Sequence, residues 1–284
     1  MIKFFRNILI LCMLFVLAGA GCVFYAFKIE PYRLETNAYT LNEKQADTAD
    51  IKIVQISDIH IKEDFTYKNL QKIVNKVNSQ SPDIVLFTGD LYDNYATYND
   101  DENVVNELQK IQAKYDKIAI WGNRDYGGGA ARQYEAIMER SGFTLLKNGN
   151  WYVTLDNEKK ILFTGLDDSL LGAPYMPDST KIYDSDYDIL LTHEPDVAEI
   201  YLDYNYDIIL SGHSHGGQIN IPFLPFLNEK AVAVTSLSTK YSGGMYSLGQ
   251  NVQSKLYVNT GIGTTHISAR FGVVPEIALF HIYL

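Results

Sequence analysis

Five short motifs hold the residues best suited to chemistry: Asp58-Ile59-His60, Gly89-Asp90, Gly122-Asn123, Thr192-His193 and Gly212-His213-Ser214-His215. They contribute carboxylates, a carboxamide and imidazoles, and four of the chain's six histidines fall within them. One histidine beside an apolar run is more often structural than a ligand. Seven such residues in five turns point instead to a metal site. In His213-Ser214-His215, alternate residues of an extended turn after glycine can address neighbouring metals.

Each motif closes an apolar run: "IVQIS", "IVLFT", "IAIW", "DILLT" and "DIIL". These runs read as buried strands, and ligands in α/β sheets bind outside the carboxyl ends of strands. Helical spacing of apolar residues predicts helices over 67–79, 103–115 and about 130–141. After Ser141 the texture turns strand-rich, in "NWYVTL", "KKILFTGL", "YDILLTH", "YDIILSG", "GQINIP", "KLYVNTG" and "EIALFHIYL". The alternation predicts an α/β fold with two sheets packed face to face and helices outside, a four-layer α/β/β/α sandwich.

The chain has 284 residues, enough for one large domain or two small ones, and 46% of them are hydrophobic, enough for a sizeable core. A net charge of −10 argues against a nucleic-acid binder, which needs a basic face. It leaves phosphate substrates open, because bound cations can supply positive charge locally. Cys12 and Cys22 both lie in the N-terminal apolar segment, which excludes a disulfide scaffold and a zinc–thiolate site.

That segment has 21 uncharged residues between Arg6 and Lys28, long enough to cross a bilayer. Residues 1–28 are read as a membrane anchor. Lys3 and Arg6 ahead of it favour a single pass with the N-terminus inside and the catalytic body outside. Ala18-Gly19-Ala20 also resembles a signal-cleavage pattern, and Gly19-Ala20-Gly21-Cys22 a lipoprotein box. Apolar residues continue to Phe27, past either cleavage point, and favour the uncleaved anchor. Residues 29–50, polar and containing Pro31, read as a linker, and residues 51–284 as the catalytic domain.

The order and spacing of the five motifs resemble the calcineurin-like metallophosphoesterase family over residues 51–284. "GHSHGGQI" and "YVNTGIGTTHISARFGVVPEI" are similar to its bacterial membrane-associated branch. The resemblance implies two divalent metal ions, with Asp58, His60 and His215 on one, Asn123, His193 and His213 on the other, and Asp90 bridging. Two dications need an anionic bridge, and two carboxylates with one hydroxide leave the centre positive enough for a phosphoryl group. Imidazole and oxygen donors without thiolate suit Mn, Fe or Zn over Mg or Ca, with Mn favoured. The implied activity is metal-dependent phosphohydrolysis by hydroxide attack, with Asp90, Asn123 and Arg124 as catalytic residues.

Most of that family has histidine where Arg124 stands. Arginine cannot release a proton near neutral pH, but it can clamp a phosphate with parallel hydrogen bonds. Leaving groups that need no proton, such as those of phosphoanhydrides, are therefore expected. The "GNRD" variant is similar to that of UDP-2,3-diacylglucosamine pyrophosphohydrolases, so a lipid-linked nucleotide pyrophosphatase is the alternative. A competing reading pairs Arg124 with Asp125 or another carboxylate. Arg270 is a second candidate phosphate clamp, weighed against a structural salt bridge. Gly127-Gly128-Gly129 is either a helix start near phosphate or a bare turn. Phe223, Leu224, Phe226 and Leu227 form either a core loop or a lip that touches membrane or an acyl chain. The rival from another class is a metal-binding scaffold without catalysis.

Overall fold

The computed structural model describes residues 1–177, 184–222, 236–249 and 254–284. In the first half of the chain the strands are β1 (Glu35–Thr40), β2 (Asp50–Ile56), β3 (Ile84–Phe87), β4 (Asp116–Ala119) and β5 (Thr144–Leu145). The second half adds β6 (Gly149–Thr154), β7 (Lys160–Gly165), β8 (Tyr187–Leu191), β9 (Ile208–Ser211), β10 (Gly244–Ser247), β11 (Lys255–Val258) and β12 (Glu276–Tyr283). The helices are α1 (Ile2–Lys28), α2 (Tyr67–Asn78), α3 (Asp101–Leu108), α4 (Asn123–Gly127) and α5 (Tyr134–Arg140).

Two six-stranded sheets result, in the orders β1-β12-β2-β3-β4-β5 and β10-β11-β9-β8-β7-β6. Strand β12 leaves the second half of the chain and pairs with β2 and β1, tying the C-terminus to the first sheet. Between the sheets pack Ile53, Ile84, Leu86 and Ile118 from one side and Phe163, Ile189, Leu191, Ile208 and Leu210 from the other. β-Branched and aromatic residues dominate because both faces of these strands are buried. On the outer face of the first sheet, Val54, Val85 and Phe87 meet Leu70, Ile73, Val74 and Val77 of α2 and Val104 and Val105 of α3. Helix α2 starts where Thr66 caps it, and Asn69 returns its side-chain oxygen to the Thr66 N–H at 3.0 Å. The outer face of the second sheet is covered by a 3₁₀ segment, Pro195–Tyr204, whose Val197, Ala198 and Tyr201 pack on Leu190 and Ile209. The two sheets and their outer layers match the sandwich expected from the sequence.

Three local readings change. Residues 29–50 are not a free linker: Glu30–Tyr32 form a 3₁₀ turn that buries Glu30 and Pro31, and β1 pairs with β12 in parallel from Glu35↔Glu276 to Thr40↔His281. The polar composition of β1 fits an edge strand whose residues are all partly or fully exposed. Helix α3 ends at Leu108, short of Tyr115, because the chain turns there to feed β4. "GQINIP" forms no strand within 217–222; only Ile219 bridges to Phe271. The lip residues Phe223, Leu224, Phe226 and Leu227 lie outside the described residues.

Helix α1 is long and apolar enough to cross a membrane by length and composition, and nearly all its side chains are exposed. Among the described residues it meets the folded body through its last turn, at Tyr25 and Ala26.

Candidate metal centre

The loops after β2, β3, β4, β8 and β9 converge at one end of the two sheets. All seven candidate ligands arrive there, and Asp58, His60, Asp90, His193, His213 and His215 are each at most 4% exposed. Asp58, His60 and His215 form one cluster, and Asp58, Asp90 and His193 another, with potential ligand atoms within 4.8 Å of each other in each. Asn123 joins through its Oδ1, 3.0 Å from His213 Nδ1.

The backbone bends sharply to achieve this. Asp58 (φ 51°), His60 (φ 47°), Asp90 (φ 63°), His213 (φ 68°) and His215 (φ 50°) all occupy the left-handed region. That conformation costs a non-glycine residue on the order of 1 kcal/mol or more, and such outliers cluster at functional sites. Five among seven candidate ligands mark this end of the fold as shaped for a task other than stability.

Hydrogen bonds behind the imidazoles aim them inward. His193 Nδ1 meets the Thr88 carbonyl at 2.6 Å, which makes Nδ1 the donor and leaves Nε2 facing the centre, 3.4 Å from Asp90 Oδ2 and without a close hydrogen bond among the described residues. His213 Nε2 meets the Ser236 carbonyl at 2.9 Å, so its Nδ1 carries a lone pair toward Asn123 Oδ1. Behind His60, Asp93 Oδ1 stands 3.2 Å from Nδ1, and His60 Nε2 lies 2.9 Å from His215 Nε2. Facing acceptors at such distances and a buried orphan nitrogen are what cations satisfy, and a carboxylate or carbonyl behind a ligating histidine is the usual support. The residues fit a pair of divalent cations.

Electrostatics point the same way. Burial opposes ionisation of Asp58, but the His60 hydrogen bond and the His215 and His193 charges outweigh it and hold the carboxyl far below its ordinary range. Burial likewise opposes a charged His60, yet the hydrogen bonds to Asp58 and Asp93 lift it to about 9. His193 is raised well above its ordinary value because Asp90 overcomes the cost of burial. His213 and His215 are lowered, first by burial. The carboxylates thus demand positive charge, which divalent cations would supply in place of protons on His60 and His193.

Arg124 lies in the first turn of α4, half-buried. Its backbone N–H donates to Asp90 Oδ1 at 2.8 Å and its Nη2 to Thr265 Oγ1 at 3.0 Å. Among the described residues no carboxylate lies within ion-pairing distance of its guanidinium. Asp125 is committed elsewhere: it accepts the N–H groups of Gly122 and Asp90 at 2.9 Å and of Leu91 at 3.0 Å. The Arg124–Asp125 pair considered from the sequence is therefore absent. Gly127 and Gly128 lie at the end of α4, whose start, at Gly122–Asn123, is what faces Asp90.

Arg270 requires a correction. It is fully buried, and Nε and Nη2 donate to the Gly263 carbonyl at 3.0 and 2.7 Å while Nη2 also reaches the Thr260 carbonyl at 2.9 Å. With no exposed donor it is not a phosphate clamp; it braces the loop beneath His215. Asp93 and Thr88 escaped the sequence reading, although Asp93 sits three residues past Asp90, and Asp125 was read only as a partner for Arg124 rather than as the brace of Gly122, Asp90 and Leu91. Asp168 and Glu194 form a further buried acidic pair beside His193, and burial followed by Glu194 pushes Asp168 up to about 8.

Five converging loops, cation-demanding carboxylates and backed imidazoles define a metal-dependent phosphohydrolase when joined to this fold. The chain belongs to the calcineurin-like phosphoesterase family, whose model matches residues 51–217. It is 37% identical over 268 residues to the uncharacterized metallophosphoesterase YkuE of Bacillus subtilis, covering 93% of this chain and 91% of that one. It is 28% identical over 307 residues to the UDP-2,3-diacylglucosamine pyrophosphatase LpxG of Chlamydia muridarum, covering 90% and 91%. Among solved structures, TT1561 of Thermus thermophilus aligns at 11% identity with a TM-score of 0.46, over 75% of this chain and 91% of that chain.

Proposed function

We propose that the protein is a membrane-anchored, binuclear phosphohydrolase that favours phosphoanhydrides and other substrates with good leaving groups. Asp58, His60 and His215 would hold one cation, Asn123, His193 and His213 the other, with Asp90 between them and Mn favoured. When bound, such cations supply Lewis acidity and an activated water. The chain's own contribution is placement. Asp90 fixes the start of α4 through the Arg124 N–H, and the unpaired Arg124 guanidinium binds the phosphoryl oxygens from one side.

The observation that carries the leaving-group preference is that guanidinium: partly open, held among the described residues by Thr265 alone, and unable to donate a proton. Alkoxide departure needs a proton, whereas a departing phosphate does not. Similarity to LpxG supports a lipid-linked nucleotide diphosphate as the finer reading, and the exposed apolar α1 supports delivery at a membrane with the catalytic body outside. The test compares Arg124→His with wild type on a pyrophosphate diester and on an alkyl phosphomonoester. The substitution is expected to lower kcat/KM for the first and raise it for the second. Equal responses on both substrates would sink the leaving-group argument.

A further inference from the structure

The last turn of α1 and the turn behind it do more than lead into the domain. The Ala26 carbonyl accepts the Arg270 N–H at 2.9 Å, and the Tyr25 ring meets Phe271 edge-on at 6.2 Å. Glu30, only 2% exposed, accepts the Val273 N–H through Oε1 at 2.8 Å. Residues 25–30 thus grip both ends of the 270–273 turn.

That turn carries Arg270, whose guanidinium reaches the metal centre. Both Nη2 hydrogens are used by the Thr260 and Gly263 carbonyls, so the 3.4 Å approach to His215 Nδ1 is an electrostatic contact without a donated proton. Gly263 in turn lies against Ile59 and His60, where even a Cβ would strike the Ile59 backbone. A buried cation in contact with one ligand opposes the arrival of a metal unless carboxylates offset it. Asp58, Glu276 and Glu30 are the carboxylates whose charges bear on Arg270, and Asp58 is itself a candidate ligand. Glu276 divides its attention, accepting the Thr260 N–H at 2.7 Å and the Asn37 amide at 2.5 Å.

We propose that Glu30 is a positioning residue for the Asp58–His60–His215 site: it pins the 270–273 turn and offsets the Arg270 charge beneath His215. The segment joining the apolar helix to the domain is then part of the support of the metal centre. This rests on the reading of those three residues as a cation site.

The test is Mn²⁺ titration of the full-length, metal-stripped chain in detergent, followed by calorimetry and Mn²⁺ spin resonance. Wild type is expected to take up two ions. Glu30→Gln keeps an acceptor for Val273 but removes the charge, and it is expected to weaken one of the two sites about tenfold. The Asn123–His193–His213 site should keep its affinity and so reports that the chain is folded. Glu199→Gln removes an exposed carboxylate and should leave both affinities unchanged. Two wild-type affinities in Glu30→Gln, or equal weakening of both sites, would overturn the proposal. A wild-type chain that binds no Mn²⁺ at all would instead overturn the reading of the centre itself.

Discussion

Gly122→Ala tests whether the geometry of the centre is as tight as described. Gly122 has φ −114° and ψ 170°, a conformation any residue adopts, so the effect of an added methyl is steric alone. A Cβ there would sit 2.7 Å from the Asp90 backbone nitrogen and 2.9 Å from His193 Cε1, and closer still to Asp90 Oδ1. Ordinary contact begins near 3.5 Å, so the methyl overlaps the Asp90 backbone by about 0.8 Å. The backbone cannot rotate away, and His193 is held from behind by Thr88. Relief requires Asp90 or His193 to move by several tenths of an ångström to 1 Å. Overpacking of this kind costs roughly 1–3 kcal/mol of stability. A displacement near 1 Å at reacting groups costs on the order of a hundredfold in rate. The assay pairs thermal unfolding with Mn²⁺ calorimetry and turnover of an activated aryl phosphate. A folded Gly122→Ala variant with wild-type metal affinity and turnover would refute the placement of Asp90 and His193 at the reaction centre.

Other outcomes follow from the same geometry. Asp168 has a folded-state carboxyl raised to about 8, against about 4 in an unfolded chain. Between those values the folded chain holds a proton that the unfolded chain lacks, so this group's contribution is present below about pH 4 and is lost as pH rises through 8. Asp168→Asn should flatten the fall in urea-unfolding stability across that window; an unchanged slope would contradict the shift. The full chain should remain with vesicles after an alkaline wash, and deletion of residues 2–24 should release it; retention of the shortened chain would count against α1 as the anchor.

Much of the centre was legible in the sequence because its ligands follow apolar runs, and a parallel strand forces whatever follows it to one end of the sheet. Asp58, Asp90, Asn123, His193 and the His213–His215 pair were readable for that reason. Their supports were not. Asp93 acts on His60 only after β2 pairs with β3, and Thr88 on His193 only after the second sheet, with β8, packs on the first; no local pattern encodes either. Arg270 in "ISARFGV" read as a phosphate clamp or a salt-bridge partner, because its burial depends on carbonyls of Thr260 and Gly263 and on Glu30, 240 positions away. The same long-range pairing hid β1, whose polar residues suit an edge strand as well as they suit a linker. The left-handed backbone at both histidines of "GHSH" also gave no sign, since histidine carries no preference strong enough to announce it.

Hydrolysis of a pyrophosphate diester by the Mn²⁺-reconstituted full-length chain, compared with Asp90→Asn, tests the central claim most directly. The account predicts metal-dependent cleavage in the wild type and a loss of about a hundredfold or more when the shared carboxylate is neutralised. Equal rates in the two proteins, or no cleavage of any phosphate ester or anhydride with metal supplied, would contradict it.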